Sequence, residues 1–112
     1  MLEQVLLNLI RNGMEAMANT PDSARILRIE TEVSRTELRV RVSDNGCGIS
    51  PEVNDKLFTA FFTTKPEGMG VGLSICRSII EFHRGRLWAE HNQQSPTGTG
   101  TIFIFTLPLE SA

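Results

Sequence analysis

The run Asp44-Asn45-Gly46-Cys47-Gly48-Ile49 sets two glycines directly behind a segment in which Leu38, Val40 and Val42 share one face. Strand alternation carries Asp44 onto that same inward face, where a carboxylate is costly unless it finds a partner. One chemistry that supplies a partner is an exocyclic amine such as that of adenine, with the glycines letting the backbone approach a flat ligand. The plainer reading is a tight strand-to-loop turn, which Asn-Gly alone explains.

Asn8, Arg11, Asn12 and Glu15 fall at i, i+3, i+4 and i+7 and form a polar seam beside an apolar helical stripe. Mixed polar residues in such a seam usually form only a solvated flank. Asparagines are poor helix formers, however, and amide oxygens on one line suit a hard cation such as Mg²⁺ shared with a phosphate chain. Gly68-Met69-Gly70-Val71-Gly72-Leu73 opens a further helical stripe, so its backbone N–H groups and dipole end can meet phosphate. It is neither a Walker A loop, for want of a following Lys-Ser or Lys-Thr, nor a Rossmann fingerprint, because its glycines repeat as GxGxG after a long loop. Between the glycine runs, Phe58, Phe61 and Phe62 with Lys65 read as an apolar anchor for a loop, or as a hinged lid carrying a cation near phosphate.

These residues need elements to hold them. Leu2, Val5, Leu6, Leu9, Ile10, Gly13 and Met17 predict an amphipathic helix over residues 2–18, stopped by Asn19-Thr20-Pro21-Asp22. Alternation predicts a hairpin of strands 26–33 and 37–44 around Ser34-Arg35-Thr36. Ser50-Pro51-Glu52 has the form of an N-cap, a proline at the first helical position and an acid in the first turn, predicting a short helix to about Leu57. Leu73, Cys76, Ile79, Ile80 and His83 predict a helix over residues 72–84, with Gly85 as its C′ residue. Strands 86–92 and 101–107 follow, and the second, apolar on both faces, belongs in the middle of a sheet.

A chain of 112 residues with 40% hydrophobic and 21% charged residues is one domain, spanning residues 1–112. Eleven Lys and Arg against thirteen Asp and Glu give a net charge of −2, which argues against nucleic acid as a partner. No apolar run has the length of a membrane span and the N-terminus lacks signal-peptide character, so direct membrane contact is not expected and a cytoplasmic location is. Cys47 and Cys76 stand outside any CxxC spacing and read as free thiols.

Four motifs in order carry a family resemblance. Leu6-Leu7-Asn8-Leu9-Ile10-Arg11-Asn12-Gly13-Met14-Glu15-Ala16 resembles the N box of the histidine-kinase ATP-binding domain. The run from Asp44 to Ile49 resembles its first glycine box, Phe58 to Phe62 its F box, and Gly68 to Leu73 its second glycine box, while Gly98-Thr99-Gly100-Thr101 looks like the approach to its closing strand. The Asn-Gly-Met-Glu-Ala-Met and Phe-Phe-Thr-Thr-Lys wording looks most like the nitrogen- and oxygen-sensing subgroup.

The resemblance implies a Bergerat-type α/β (α+β) two-layer sandwich: a mixed, mostly antiparallel sheet covered on one face by about three helices. It implies ATP and Mg²⁺ as cofactors. Asn12 would hold the metal, Asn8 would lie near the γ-phosphate, and Arg11 and Lys65 would approach the phosphates. Asp44 would read the adenine amine, with Gly46, Gly48, Ile49 and Thr101 near the base. Phe58, Gly68, Gly70, Val71, Gly72 and Leu73 would complete the lid and phosphate cradle. Asn8, Asn12 and Lys65 are the candidate catalytic residues.

Departures from the family pattern shape the expected activity. Asn8 stands where hydrolysing members carry glutamate and cannot act as a strong base toward water, which favours phosphotransfer over hydrolysis. His83 closes a helix and His91 follows the alternation of Leu87 and Ala89, so the acceptor histidine is expected on a separate dimerisation domain of the parent protein, with a response regulator downstream. The alternatives are an ATPase that drives conformational change and a regulatory domain without phosphotransfer. The strand-bearing segment that family members carry before the N-box helix is not in this sequence, so the chain looks truncated, and an exposed sheet edge or apolar groove is expected to bring self-association, a swapped element or weakened stability.

Overall fold

Residues 2–48, 70–93, 95 and 98–109 are described in the computed structural model. In chain order they form α1 (Leu2–Ala16), a 3₁₀ turn (Asp22–Ala24), β1 (Leu27–Val33), β2 (Glu37–Asp44), α2 (Gly70–Phe82), β3 (Arg86–His91) and β4 (Thr101–Pro108). Helix α1 stops at Ala16, two residues short of the expected end at residue 18. Met17 and Ala18 donate to the carbonyls of Met14 and Glu15 instead, so the last turn tightens to an i→i−3 pattern.

The sheet order is β1-β2-β4-β3, and every pairing among the described residues is antiparallel, which corrects the expectation of a mixed sheet. Of the three helices expected, two α-helices are present among the described residues, while the short helix expected from Ser50 lies outside them. The β1–β2 turn is closed by Ser34, whose Oγ accepts the Thr36 and Glu37 amides at 3.3 and 3.1 Å. Strand β4 is central, as its two apolar faces require, with Phe103 and Phe105 toward the helices and Ile104 on the far side.

Both helices lie on the face that carries Val40, Val42, Leu87, Phe103 and Phe105 and bury Val5, Leu9, Cys76 and Ile80 against it. Leu9 and Ile80 have no exposed surface, and full burial of such a side chain contributes roughly 1.5–3 kcal/mol. Gly13 lets α1 press onto the sheet, because a Cβ there would lie 2.7 Å from Leu27 Cδ1 and 3.5 Å from Asp44 Cβ. On the opposite face, Trp88 sits between the guanidinium groups of Arg39 and Arg86, 5.6 and 5.5 Å from its ring centre, and stands opposite the buried Ile104.

Helix α2 ends in a Schellman motif. Gly85 N–H donates to Ile80 O and Arg84 N–H to Glu81 O, both at 2.9 Å. The left-handed residue is Arg84, with φ 66°, rather than Gly85. Glycine is needed at 85 for space, since a Cβ there would collide with the Thr106 carbonyl of β4. No helix among the described residues is long and apolar enough to cross a membrane.

Candidate functional site

Asp44 ends β2 on the helix-side face, 2% exposed. Its Oδ1 accepts the backbone N–H of Gly46 at 2.9 Å and of Thr101 at 3.3 Å, so the inward carboxylate is held by two amides. Its Oδ2 is turned toward Gly13 of α1 and receives no bond from the described residues. Burial raises the Asp44 pKa above the ordinary aspartate value, and the two amide bonds oppose that rise.

Gly46 and Gly100 are each explained by a close backbone neighbour, and Gly48 by its positive φ. A Cβ on Gly46 would meet the Ala16 carbonyl at the end of α1, and the following amide, Cys47 N–H, donates to that same oxygen at 3.1 Å. The first glycine box is therefore pinned to the end of the N-box helix. Gly48 adopts φ 77° and packs against Gly100, which itself lies on the Asp44 carbonyl with φ 126°. Asp44, Gly46, Gly48, Thr101 and Gly13 form one cluster at the junction of α1, β2 and β4.

Asn8 and Asn12 lie half-buried on one line of α1, and Asn8 Nδ2 donates to Cys76 Sγ of α2 at 3.5 Å. Burial pushes the Cys76 thiol up, while the Asn8 bond opposes the shift. Arg11 is exposed on α1. Helix α2 begins at Gly70, two residues ahead of the expected start, so Gly70, Val71 and Gly72 form its first turn, and Leu73 packs half-buried against the core. Ile49, Phe58, Lys65 and Gly68 lie outside the described residues. Among the described residues there is no cluster of three or more His, Cys, Asp or Glu that could hold a metal.

His83 directly follows α2 and His91 ends β3 opposite Thr101. Cys47 is exposed and Cys76 buried, both free.

Two residues that border this cluster carried no chemical signal in the sequence. Asn45, read only as half of an Asn-Gly turn, accepts Ile26 N–H on Oδ1 at 2.9 Å and donates Nδ2 to Ala24 O, anchoring the entry to β1. Asn92, buried just past β3, donates Nδ2 to the Asp44 main-chain carbonyl at 2.8 Å. A polar residue closing an alternating segment was the one available hint.

Comparisons with known proteins bear on the family and the fold. Residues 1–111 match the family described as histidine kinase-, DNA gyrase B-, and HSP90-like ATPase. The chain is 49% identical to the sensor protein FixL of Bradyrhizobium diazoefficiens, over 96% of this chain and 20% of that protein. The catalytic domain of the histidine kinase ThkA superposes with a TM-score of 0.78 at 42% identity, covering 94% of this chain and 64% of that one. ThkA has also been solved in complex with the response regulator protein TrrA. Full-length ShkA in complex with AMPPNP superposes with a TM-score of 0.78 at 26% identity, over 99% of this chain and 22% of that one. The chain thus spans about a fifth of the curated relative's length.

Proposed function

Because the chain belongs to the histidine kinase-, DNA gyrase B-, and HSP90-like ATPase family, in the form of the catalytic domain of sensor histidine kinases, we propose that it binds Mg·ATP and, within its parent protein, passes the γ-phosphoryl group to a histidine outside this chain. The observation that carries the reading is the Asp44 carboxylate. It is buried, its Oδ1 is fixed by Gly46 and Thr101, and its Oδ2 is turned toward the α1 crossing point, an acceptor poised for an exocyclic amine.

Asn12 would hold Mg²⁺ through its amide oxygen, and Asn8, kept oriented by Cys76, would border the γ-phosphate. A hard cation there neutralises phosphate charge. As the acceptor nitrogen bonds to the γ-phosphorus, the bond to the bridging oxygen breaks and ADP leaves with its electron pair. This chain's residues contribute by positioning. The acceptor's own lone pair makes the attack, so no strong base is needed at Asn8, and an amide there disfavours hydrolysis. A dimerisation domain bearing the acceptor is the direct partner, and a response regulator is the downstream one. Arg11, Lys65 and the first turn of α2 are proposed to meet the phosphates, and Gly48, Ile49, Phe58 and Gly68 to border the nucleotide.

The outer strand β1 leaves Ile29 and Val33 exposed at 46% and 69%, which supports association through that edge. Sedimentation that finds only monomer across concentration would count against it.

Calorimetric titration with ADP tests the nucleotide assignment. Saturable binding that weakens about 10- to 100-fold in Asp44→Asn is expected from loss of a charge-assisted hydrogen bond. An unchanged Asp44→Asn variant removes the adenine assignment.

A further inference from the structure

We infer that Asn92 is a positioning residue for base selection, acting through Asp44. The inference rests on the adenine-reading role proposed for that carboxylate.

Asp44 is held at two points by the two ends of one connection. At the β4 end, Thr101 N–H donates to its carboxylate at 3.3 Å. At the β3 end, Asn92 Nδ2 donates to its main-chain carbonyl at 2.8 Å. The two ends are themselves joined, because Asn92 N–H donates to Gly100 O at 3.1 Å. These bonds close a ring around Asp44 that fixes both its peptide plane and its side chain.

That carbonyl belongs to the peptide after Asp44, so the Asn92 amide restrains the backbone frame from which the side chain projects, while Gly46 and Thr101 hold the carboxylate itself. Asn92 is 9% exposed and Asp44 2%, so water replaces the lost donor poorly at this point. Gly100 is part of the same device, because any side chain there would collide with the Asp44 carbonyl that Asn92 grips. Strand pairing holds Asp44 on one side only, where β1 sets Leu27 opposite it; on the other side the β2–β4 register ends at Ser43 opposite Ile102, and the tie to Asn92 takes over where that ladder stops.

Competition of ATP and of ITP against a ribose-labelled fluorescent ATP analogue tests the inference with the full chain. ITP carries a carbonyl where ATP carries the exocyclic amine. Asn92→Ala should weaken ATP about tenfold and leave ITP within about twofold, while thermal melts stay cooperative. Asn92→Ser, which retains a shorter donor and serves if the alanine variant does not fold, should lose about threefold for ATP alone. Equal losses for both nucleotides, or an unchanged ATP-to-ITP ratio in either folded variant, would overturn the inference and leave Asp44's role intact. A wild-type chain that does not prefer ATP overturns the Asp44 assignment and the inference together.

Discussion

The amide of Asn8 and the thiol of Cys76, 68 positions apart in sequence, meet at 3.5 Å and join the N-box helix to the helix that opens with the second glycine box. Cys76 is fully buried, so the bond forms where α1 and α2 pack together. Cys76→Ala should cost about 1–2 kcal/mol of stability for the lost volume. It should also slow phosphotransfer severalfold while ADP affinity holds, because only the γ-phosphate side loses its oriented amide. Cys76→Ser, which keeps an acceptor, should recover most of the rate. Melting curves and single-turnover transfer measure the two effects separately.

Gly46 and Gly98 separate two reasons for glycine. A Cβ at Gly46 would strike the Ala16 backbone, whereas at Gly98, with φ 75°, it would meet nothing within 4 Å. Gly46→Ala should therefore destabilise by about 2–3 kcal/mol and Gly98→Ala by only about 1 kcal/mol, the cost of a left-handed alanine. Calorimetric melting resolves the difference, since each kcal/mol shifts a domain of this size by several degrees.

Acid should affect stability and binding in opposite directions at Asp44. Its pKa is raised in the fold by burial, so its contribution to stability is fully present below the unfolded aspartate pKa and is lost as pH rises through the folded value. Nucleotide binding needs the ionised carboxylate as acceptor and should strengthen through that same folded pKa. Asp44→Asn should flatten this step in both profiles. Calorimetric ADP titrations and denaturant melts across the acidic range measure it.

Trp88 is the sole tryptophan and lies on the sheet face away from Asp44. Trp88→Ala should destabilise by about 1–3 kcal/mol, through loss of the stack between Arg39 and Arg86 opposite Ile104, and leave ADP affinity within about twofold. Denaturant unfolding and calorimetric binding check the pair of effects.

Local periodicity made much of this molecule legible in its sequence. The apolar stripe foretold α1, and the two-sided apolar run of β4 foretold its central place between β2 and β3. Asp44 stood out as a carboxylate on an apolar face. What escaped were features set by long-range contact. Gly85 resembled a left-handed cap, yet Arg84 takes that conformation and Gly85 answers to the Thr106 carbonyl across the sheet. Gly46 and Gly100 resembled loop glycines, and both are required by backbone that arrives from distant segments. Asn92 has no motif around it, because its importance lies in a bond to a residue 48 positions away.

Transfer of label from γ-labelled ATP to a supplied dimerisation domain bearing the acceptor histidine tests the central claim most directly. The account predicts labelling of that domain by the wild-type chain, loss of labelling with Asn12→Ala, strong reduction with Asp44→Asn, and little release of free phosphate when the acceptor is omitted. Clear ATP binding without any transfer, or steady hydrolysis in the absence of an acceptor, would contradict it.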